Sequence, residues 1–262
     1  GQARPSRCHG GGSMTRVLSW FSSGAASAVA TKLALAAHGD AVLPVYCATH
    51  AEHPDNDRFR ADCETWFDRS VVAIESDKYA DTWDVWTKRR YLAGIDGAAC
   101  TVELKVVPRL QFQRPDDIHV FGYTADRRDV ERAEAMRAHY PEMRIETPLI
   151  DAGLNKAACL AMIQNAGLSE PVTYAMGFPN ANCLPCVKAT SPAYWALFRK
   201  HFPDLFARMA ALSRELDVRL CRIDGQRAFI DEIPDDHPMT NPIAPACDFL
   251  CAIAENEMAV AA

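Results

Sequence analysis

The sequence predicts an α/β protein: a parallel sheet with helices on both faces, followed by a mainly helical C-terminal extension. Three observations carry this. Short apolar segments of strand length alternate with stretches of helical composition from Arg16 to Thr147. The turns that follow the strands ending near Phe21, Cys47 and Tyr123 are rich in small or polar residues. From Asn155 onward helix signals take over.

In order, Val17 to Phe21 is apolar enough for a buried strand, Ser22 to Ser27 is a hydroxyl-rich turn, and Ala28 to Ala37 has helical composition. Ala41 to Cys47 reads as a second strand, Asn56 to Phe67 as a helix and Ser70 to Glu75 as a third strand. A Trp-rich helix is expected from Thr82 to Leu92, and another around Val102 to Phe112, interrupted by Pro108. Ile118 to Tyr123 is a strand, Asp129 to His139 a helix and Met143 to Thr147 a short strand. Asn155 caps a helix reaching about Gly167, Ser191-Pro192 opens another, and a further helix runs from about Asp204 to Leu216 before a Pro-rich tail from Pro234 to Pro245. The expected division is an α/β domain over 14–165 and the helical extension over 166–262. Residues 1–13, ending Gly10-Gly-Gly-Ser13 before Met14, have the look of a tag or linker remnant.

A chain of 262 residues that is 49% apolar and 24% charged can bury a sizeable core. Its net charge of -6 offers no general attraction to nucleic acid or anionic membrane, so such binding would require a local basic patch. No apolar run is long enough to span a bilayer. Ten cysteines without a secretory h-region favour a reducing compartment, with some used for metal or redox chemistry and the rest as small apolar residues. A cytoplasmic location follows as an expectation.

In a parallel sheet, ligands bind at the carboxyl ends of the strands, so the loops after Phe21, Cys47 and Tyr123 should converge. The first, Ser22-Ser-Gly-Ala-Ala-Ser27, can present helix N-terminal N–H groups to an anion. On local sequence alone it reads equally well as an ordinary strand–turn–helix. The loop from Thr49 to Arg58 is dense in polar groups, part of which serve as helix caps. Gly122 permits close backbone approach, and Asp126, Arg127 and Arg128 stand at the ligand edge, where a carboxylate can hold a ribose, a metal or a reacting proton. Lys105 and Arg109 share a helix face and with Arg89 and Arg90 form either an anion clamp or a solvated basic surface. Cys183-Leu-Pro-Cys186 reads as a metal site, a redox dithiol or a chance pairing; as a metal site it needs further ligands, which Cys100 or Cys247 and Cys251 can supply. Trp83, Trp86, Tyr194, Trp195 and Phe198 are spaced as core-facing helix residues.

Taken in order, Ser22 to Ser27, Glu52-His-Pro-Asp-Asn-Asp57, Cys100-Thr-x-x-Leu-Lys105, Gly122-Tyr-x-x-Asp126 and Cys183-x-x-Cys-Val-Lys188 resemble the adenine nucleotide alpha-hydrolase (PP-loop) superfamily. Within it the chain is most similar to the phosphoadenosine phosphosulfate (PAPS) reductase family, particularly its phage and prophage members, over about residues 16 to 216. The resemblance implies a Rossmann-like, HUP-type sheet and an adenine nucleotide (ATP, AMP or PAPS) held by Ser22, Ser23, Gly24, Ala25, Ser27, His53, Gly122, Tyr123, Arg109 and Arg127. It implies catalytic roles for Cys100, Lys105, Asp126 and Cys251, with Lys105, Arg109 and Arg127 neutralising the phosphosulfate. It also implies a [4Fe–4S] cluster, or alternatively zinc, on Cys100, Cys183 and Cys186, with Cys247 as a further donor.

Two departures matter. Ala26 stands where ATP-pyrophosphatases carry Asp, which favours binding the nucleotide without splitting ATP. The Glu-Cys-Gly-x-His tail that supplies the reductase thiol is absent; Cys247 and Cys251 lie in that region and read equally as apolar residues of a terminal helix. Three functions are therefore weighed: sulfonucleotide reduction with a thioredoxin-like reductant, cluster-dependent sulfur transfer to a nucleotide or nucleic acid, and a non-catalytic nucleotide-binding or zinc-stabilised module.

Overall fold

The computed structural model describes residues 15–95, 97–246 and 249–260; the expected linker at 1–13 and Cys247 lie outside them. The strands and helices alternate as β1 (Val17–Trp20), α1 (Ala25–His38), β2 (Val42–Cys47), α2 (Asp55–Phe67), β3 (Val72–Ile74) and α3 (Thr82–Arg89). A small hairpin, β4 (Ala93–Gly94) and β5 (Gly97–Ala98), leads into α4 (Ala99–Thr101), a π-helical stretch Val102–Val106 and α5 (Val107–Phe112). Then come β6 (Ile118–Phe121), α6 (Arg127–His139), β7 (Arg144–Glu146), α7 (Pro148–Asp151), α8 (Lys156–Asn165) and α9 (Val172–Ala175). The chain continues through α10 (Pro192–His201), α11 (Pro203–Glu215), the hairpin β8 (Cys221–Ile223) and β9 (Gln226–Ala228), and α12 (Phe249–Val260).

Five parallel strands form one sheet in the order β3-β2-β1-β6-β7, flanked by helices, consistent with a Rossmann-like fold. The chain builds outward from β1 to β3, then returns to the other side of β1, so the strand order reverses between β1 and β6. Such a reversal separates the loops at the carboxyl edge and is where open α/β sheets bind ligands.

Alternation along the strands settles which residues face which layer. Val17 and Ser19, with Ile118 and Val120 opposite them, face α1, and the buried Ser19 Oγ lies 2.8 Å from Thr31 Oγ1 on that helix. Leu18 and Trp20, with His119 and Phe121, face the other side. α1 is Ala-rich and without a charge before Lys32, as a helix enclosed between the sheet, α8 and α12 requires; Ala25, Ala28, Val29, Ala30, Leu33 and Ala34 are buried in that core. A second apolar core joins α10, α11 and the β8–β9 hairpin to Trp83 and Trp86 of α3. Trp83, Trp86, Tyr194, Trp195 and Phe198 are all buried there, as their spacing predicts. Among the described residues, no helix is long and apolar enough to cross a membrane.

The structure departs from the sequence reading in three places. α3 ends at Arg89, three residues early, and the chain then turns through β4 and β5. The following helix begins at Ala99 and is not interrupted at Pro108. Proline lacks an N–H and crowds the carbonyl four residues back, and the preceding π stretch, in which Val107 N–H reaches the carbonyl of Val102, widens the helix enough to admit it. The β8–β9 hairpin was not anticipated, although its Asp224-Gly225 turn, both residues at positive φ, matches a common two-residue hairpin signal.

His119 is buried, its Nδ1 accepts from Trp20 Nε1–H at 3.1 Å, and burial followed by the nearby Arg109 lowers its pKa to about 4. The unfolded chain therefore takes up a proton near pH 6.5 that the folded chain refuses, so this contribution to stability is complete above that pH and is lost as pH falls toward 4. Denaturant unfolding across this window should show a loss of up to about 3 kcal/mol from this group. The slope should flatten in His119→Gln; an unchanged slope would contradict the lowered pKa.

Candidate functional site

The loop after β1 sits at the strand-order reversal. Gly24 starts α1 in an extended conformation, and the loop closes on itself through Ser27, whose Oγ accepts from Ser22 N–H at 3.0 Å and Gly24 N–H at 3.4 Å and donates to the Gly24 carbonyl at 2.9 Å. Ala25 N–H donates to the Tyr174 hydroxyl at 3.2 Å. Several amides at the expected anion cradle are thus engaged by the protein's own side chains. Ser23 differs: it is buried, its φ is +54°, a left-handed conformation that costs a non-glycine residue energy, and its Oγ has no hydrogen-bond partner. Gly122 comes against this loop from β6, and a Cβ there would lie 2.8 Å from the Ser27 backbone nitrogen. Tyr123 packs on Phe121 and under Arg132, and burial raises its hydroxyl pKa. Asp126 is exposed and accepts from Thr124 Oγ1 at 3.0 Å and Lys156 N–H at 3.2 Å, which makes it an anchor between loops.

The second constellation joins the loop after β2 to the Cys-x-x-Cys loop. Leu184 N–H donates to the Ala51 carbonyl at 2.7 Å, and Asn56 Nδ2 donates to the Ala181 carbonyl at 3.0 Å. This docking sets Cys183 against Thr49 and Glu52. The Thr49 hydroxyl donates to Glu52 Oε1, so the Cys183 thiol is the donor to Thr49 Oγ1 at 2.9 Å, with Glu52 Oε1 at 3.6 Å. Burial, opposed by Lys105, pushes the Cys183 thiol up to about 12.

Lys105 is the common neighbour. It sits in the π stretch; burial opposes its charge, yet Cys183, Glu52, Cys47 and Cys186 outweigh that and raise its pKa. Cys47, at the end of β2, places its Sγ 3.9 Å from the Lys105 carbonyl, and burial pushes its thiol up to about 11. Burial raises the Cys100 pKa as well, against the opposing influence of Trp86, Lys105 and Lys188 nearby, while Cys186 adds to the rise. Chemically, the arrangement offers a protonated thiol, a carboxylate able to take its proton and an ammonium able to stabilise the resulting thiolate. Beside it opens a cleft of about 270 Å³ lined by His50, Glu52, His53, Trp83, Phe202 and Leu205, among others.

The structure thus brings together Cys100, Lys105, Cys183 and Cys186, and separately Ser22, Ser23, Gly24, Ala25, Ser27 and Gly122. His53 lies on the cleft, its Nδ1 accepting from Asp55 N–H at 3.1 Å and its ring meeting Phe202 edge-on. Lys105, Arg109 and Arg127 do not form one clamp: Arg109 lies on the Tyr140 ring, and Arg127 is exposed beside Glu131. Arg89 and Arg90 pair with Glu103 and Glu215 at the surface. Cys251 is buried near Cys159 in the core of α1, α8 and α12, within a terminal helix, away from the other candidate thiols.

The metal expectation meets a geometric test. Cys186 interacts with both Cys100 and Cys183, but among the described residues no three His, Cys, Asp or Glu side chains are grouped to hold one metal ion. As the side chains stand, the three thiols would have to move together to hold a [4Fe–4S] cluster or a zinc ion. Sequence reasoning gives no site role to Cys47, Thr49 or Glu52: Cys47 reads there as the last residue of a strand, Thr49 as part of a polar loop, and Glu52 as the first residue of a motif in which only His53 is assigned to the site.

If Glu52 and Lys105 control the thiols as described, alkylation of Cys183 at pH 9, followed by mass spectrometry, should slow several-fold in Lys105→Met and quicken in Glu52→Gln. Equal rates in both variants and the parent would refute the electrostatic assignment. Compared with models of known protein families and with curated proteins, the chain matches none.

Proposed function

We propose that the chain binds an adenine sulfonucleotide at the strand-order reversal and reduces it with a cysteine thiol, as in the PAPS reductase family that its motifs resemble. The observation that carries this is the grouping of Cys183, Glu52 and Lys105 at the carboxyl edge of the sheet. The buried, unpartnered Ser23 hydroxyl at the start of α1 supports the nucleotide half of the reading.

In the first step Glu52 takes the Cys183 proton and Lys105 stabilises the thiolate, which attacks the sulfur of the phosphosulfate. An S–S bond forms, the S–O bond breaks, and its electron pair leaves with the adenosine phosphate. Cys183 then carries a thiosulfonate. A dithiol reductant such as thioredoxin attacks the cysteine sulfur, expels sulfite and supplies two electrons by becoming a disulfide, which regenerates the Cys183 thiol. Purified protein supplied with PAPS and reduced thioredoxin should release sulfite. Cys183→Ser should abolish release, and Lys105→Ala should lower the rate roughly 100-fold, the scale of removing one group that stabilises developing charge. No sulfite from the reduced parent protein would overturn the proposal.

A second reading, sulfur transfer to a nucleotide or nucleic acid, keeps the [4Fe–4S] cluster, or zinc, on Cys100, Cys183 and Cys186. The nearness of Cys186 to Cys100 and Cys183, close enough for electrostatic interaction, favours it, but the Cys183–Cys186 loop would have to rearrange to close the set. This reading expects iron and acid-labile sulfide in anaerobically purified protein, lost in each Cys→Ser variant. Zinc in place of iron would select the zinc form, and metal retained in all three variants would refute the ligand set.

A further inference from the structure

We infer that Cys186 is a further catalytic residue, the thiol that displaces the sulfur adduct from Cys183 within the chain and joins Cys183 in a disulfide. For the identity of the adduct this rests on the sulfonucleotide reduction proposed above. Cys186 takes no part in the first step of that reaction, yet the structure keeps it beside the thiol that does. The two cysteines flank the bend at Leu184 and Pro185, and both are half-buried. A disulfide needs Cα atoms about 4.4–6.8 Å apart, a separation that two intervening residues across a bend allow.

The short loop between them is held at both ends. Leu184 N–H donates to the Ala51 carbonyl at 2.7 Å, and Cys186 N–H donates to the Tyr194 hydroxyl at 2.9 Å. Tyr194 is buried edge-on to the Phe178 ring, and both Cys183 and Cys186 act on its hydroxyl. Lys105 likewise acts on both sulfurs, so its ammonium favours the thiolate form of either. Glu52, at 3.6 Å, stands against Cys183 and takes its proton in the first step.

Access to the Cys183 sulfur favours a nucleophile from inside the chain. Displacement at sulfur runs in line, with the nucleophile entering opposite the leaving group. Thr49 and Glu52 flank Cys183 Sγ on the side of the cleft. A second, smaller pocket adjoins Cys183 and is lined by Phe178, Asn180, Asn182, Leu184 and Tyr194, with neither Thr49 nor Glu52 on its wall. Its volume of about 20 Å³ holds about one water. A thiol already anchored in the loop needs no more room than that, whereas the loop that carries the thiols of a protein reductant does.

The Cys186 thiolate attacks Cys183 Sγ. A bond forms between the two cysteine sulfurs, the bond from Cys183 to the sulfonate sulfur breaks, and its electron pair leaves with sulfite, which takes up the proton that Cys186 gave. Over both steps the two thiols are oxidised to one disulfide and the sulfonate is reduced to sulfite. The external dithiol then meets a Cys183–Cys186 disulfide and reduces it by exchange.

The test is a single turnover without reductant. Reduced parent protein and Cys186→Ser are each mixed anaerobically with an equivalent of PAPS, and free sulfite and the masses of the cysteine peptides are followed. The parent should release sulfite and acquire a Cys183–Cys186 disulfide. Cys186→Ser should retain a sulfonate on Cys183 and release sulfite only when a dithiol is added. A sulfonate that persists on Cys183 of the parent, or a disulfide from Cys183 to another cysteine, would overturn the inference. A second arm bypasses the nucleotide: limiting methyl methanethiosulfonate places a methylthio group on Cys183, which the parent should expel as methanethiol and Cys186→Ser should keep. Expulsion there with no reaction of PAPS would sink the reduction and uphold Cys186 as the resolving thiol. A methylthio group equally stable in both proteins would overturn the role of Cys186 whatever PAPS does.

Discussion

The structure depends on the docking of two loops, where the chain after β2 meets the Cys-x-x-Cys loop. The backbone bond from Leu184 to Ala51 and the side-chain bond from Asn56 to Ala181 join the sheet to the helical layer. Each layer has its own apolar core, one around α1 and one around α10 and α11, and neither core by itself dictates how the two sit together. Directional hydrogen bonds do, because a backbone N–H and carbonyl removed from water must find each other or forfeit their solvation. Thr49, Glu52 and Cys183 meet only because that pairing is made.

Lys105 and Arg109 show how differently one helix can treat two buried cations. The π stretch carries Lys105 to Glu52 and to neutral thiols whose deprotonation its ammonium favours. Arg109, four residues later, turns to the aromatic face with Tyr140 and Met143 and finds no carboxylate. In a regular helix residues four apart share a face. The two remain near enough for both to act on Cys47, yet their nearest partners differ.

Much of the fold was legible because burial on both faces of a parallel sheet demands near-continuous apolar strands, and Val17 to Trp20, Val42 to Cys47 and Ile118 to Phe121 supply them, with Ser19 and His119 as polar exceptions. The loop convergence followed from the topology. What escaped notice had weak local signals. Hairpins of two or three residues per strand leave no period to detect, and Pro108 read as a break because a π turn has no sequence signature. Cys47 looked like any residue ending a strand, and the motif that Glu52 opens did not single it out as a partner of Cys183, since their meeting with Lys105 is a long-range event. The joint role of Lys105, Arg109 and Arg127 came from the family resemblance alone; in the structure Arg109 packs on Tyr140 and Arg127 pairs with Glu131 at the surface.

Tyr174 has a bearing on affinity that its modest role as a helix cap conceals. Its hydroxyl already accepts the Ala25 N–H, and its ring carries the Lys156 ammonium at 5.1 Å. An anion arriving at this amide is not filling open space; it exchanges places with a neutral oxygen. The binding constant of such an anion would reflect a difference between two occupied states, and an ion that offers the amide no more than a phenol does gains nothing by the swap. At the nucleotide site proposed for the start of α1, selectivity would accordingly be set by a resident competitor, which admits strongly charged oxygens and turns weak ones away.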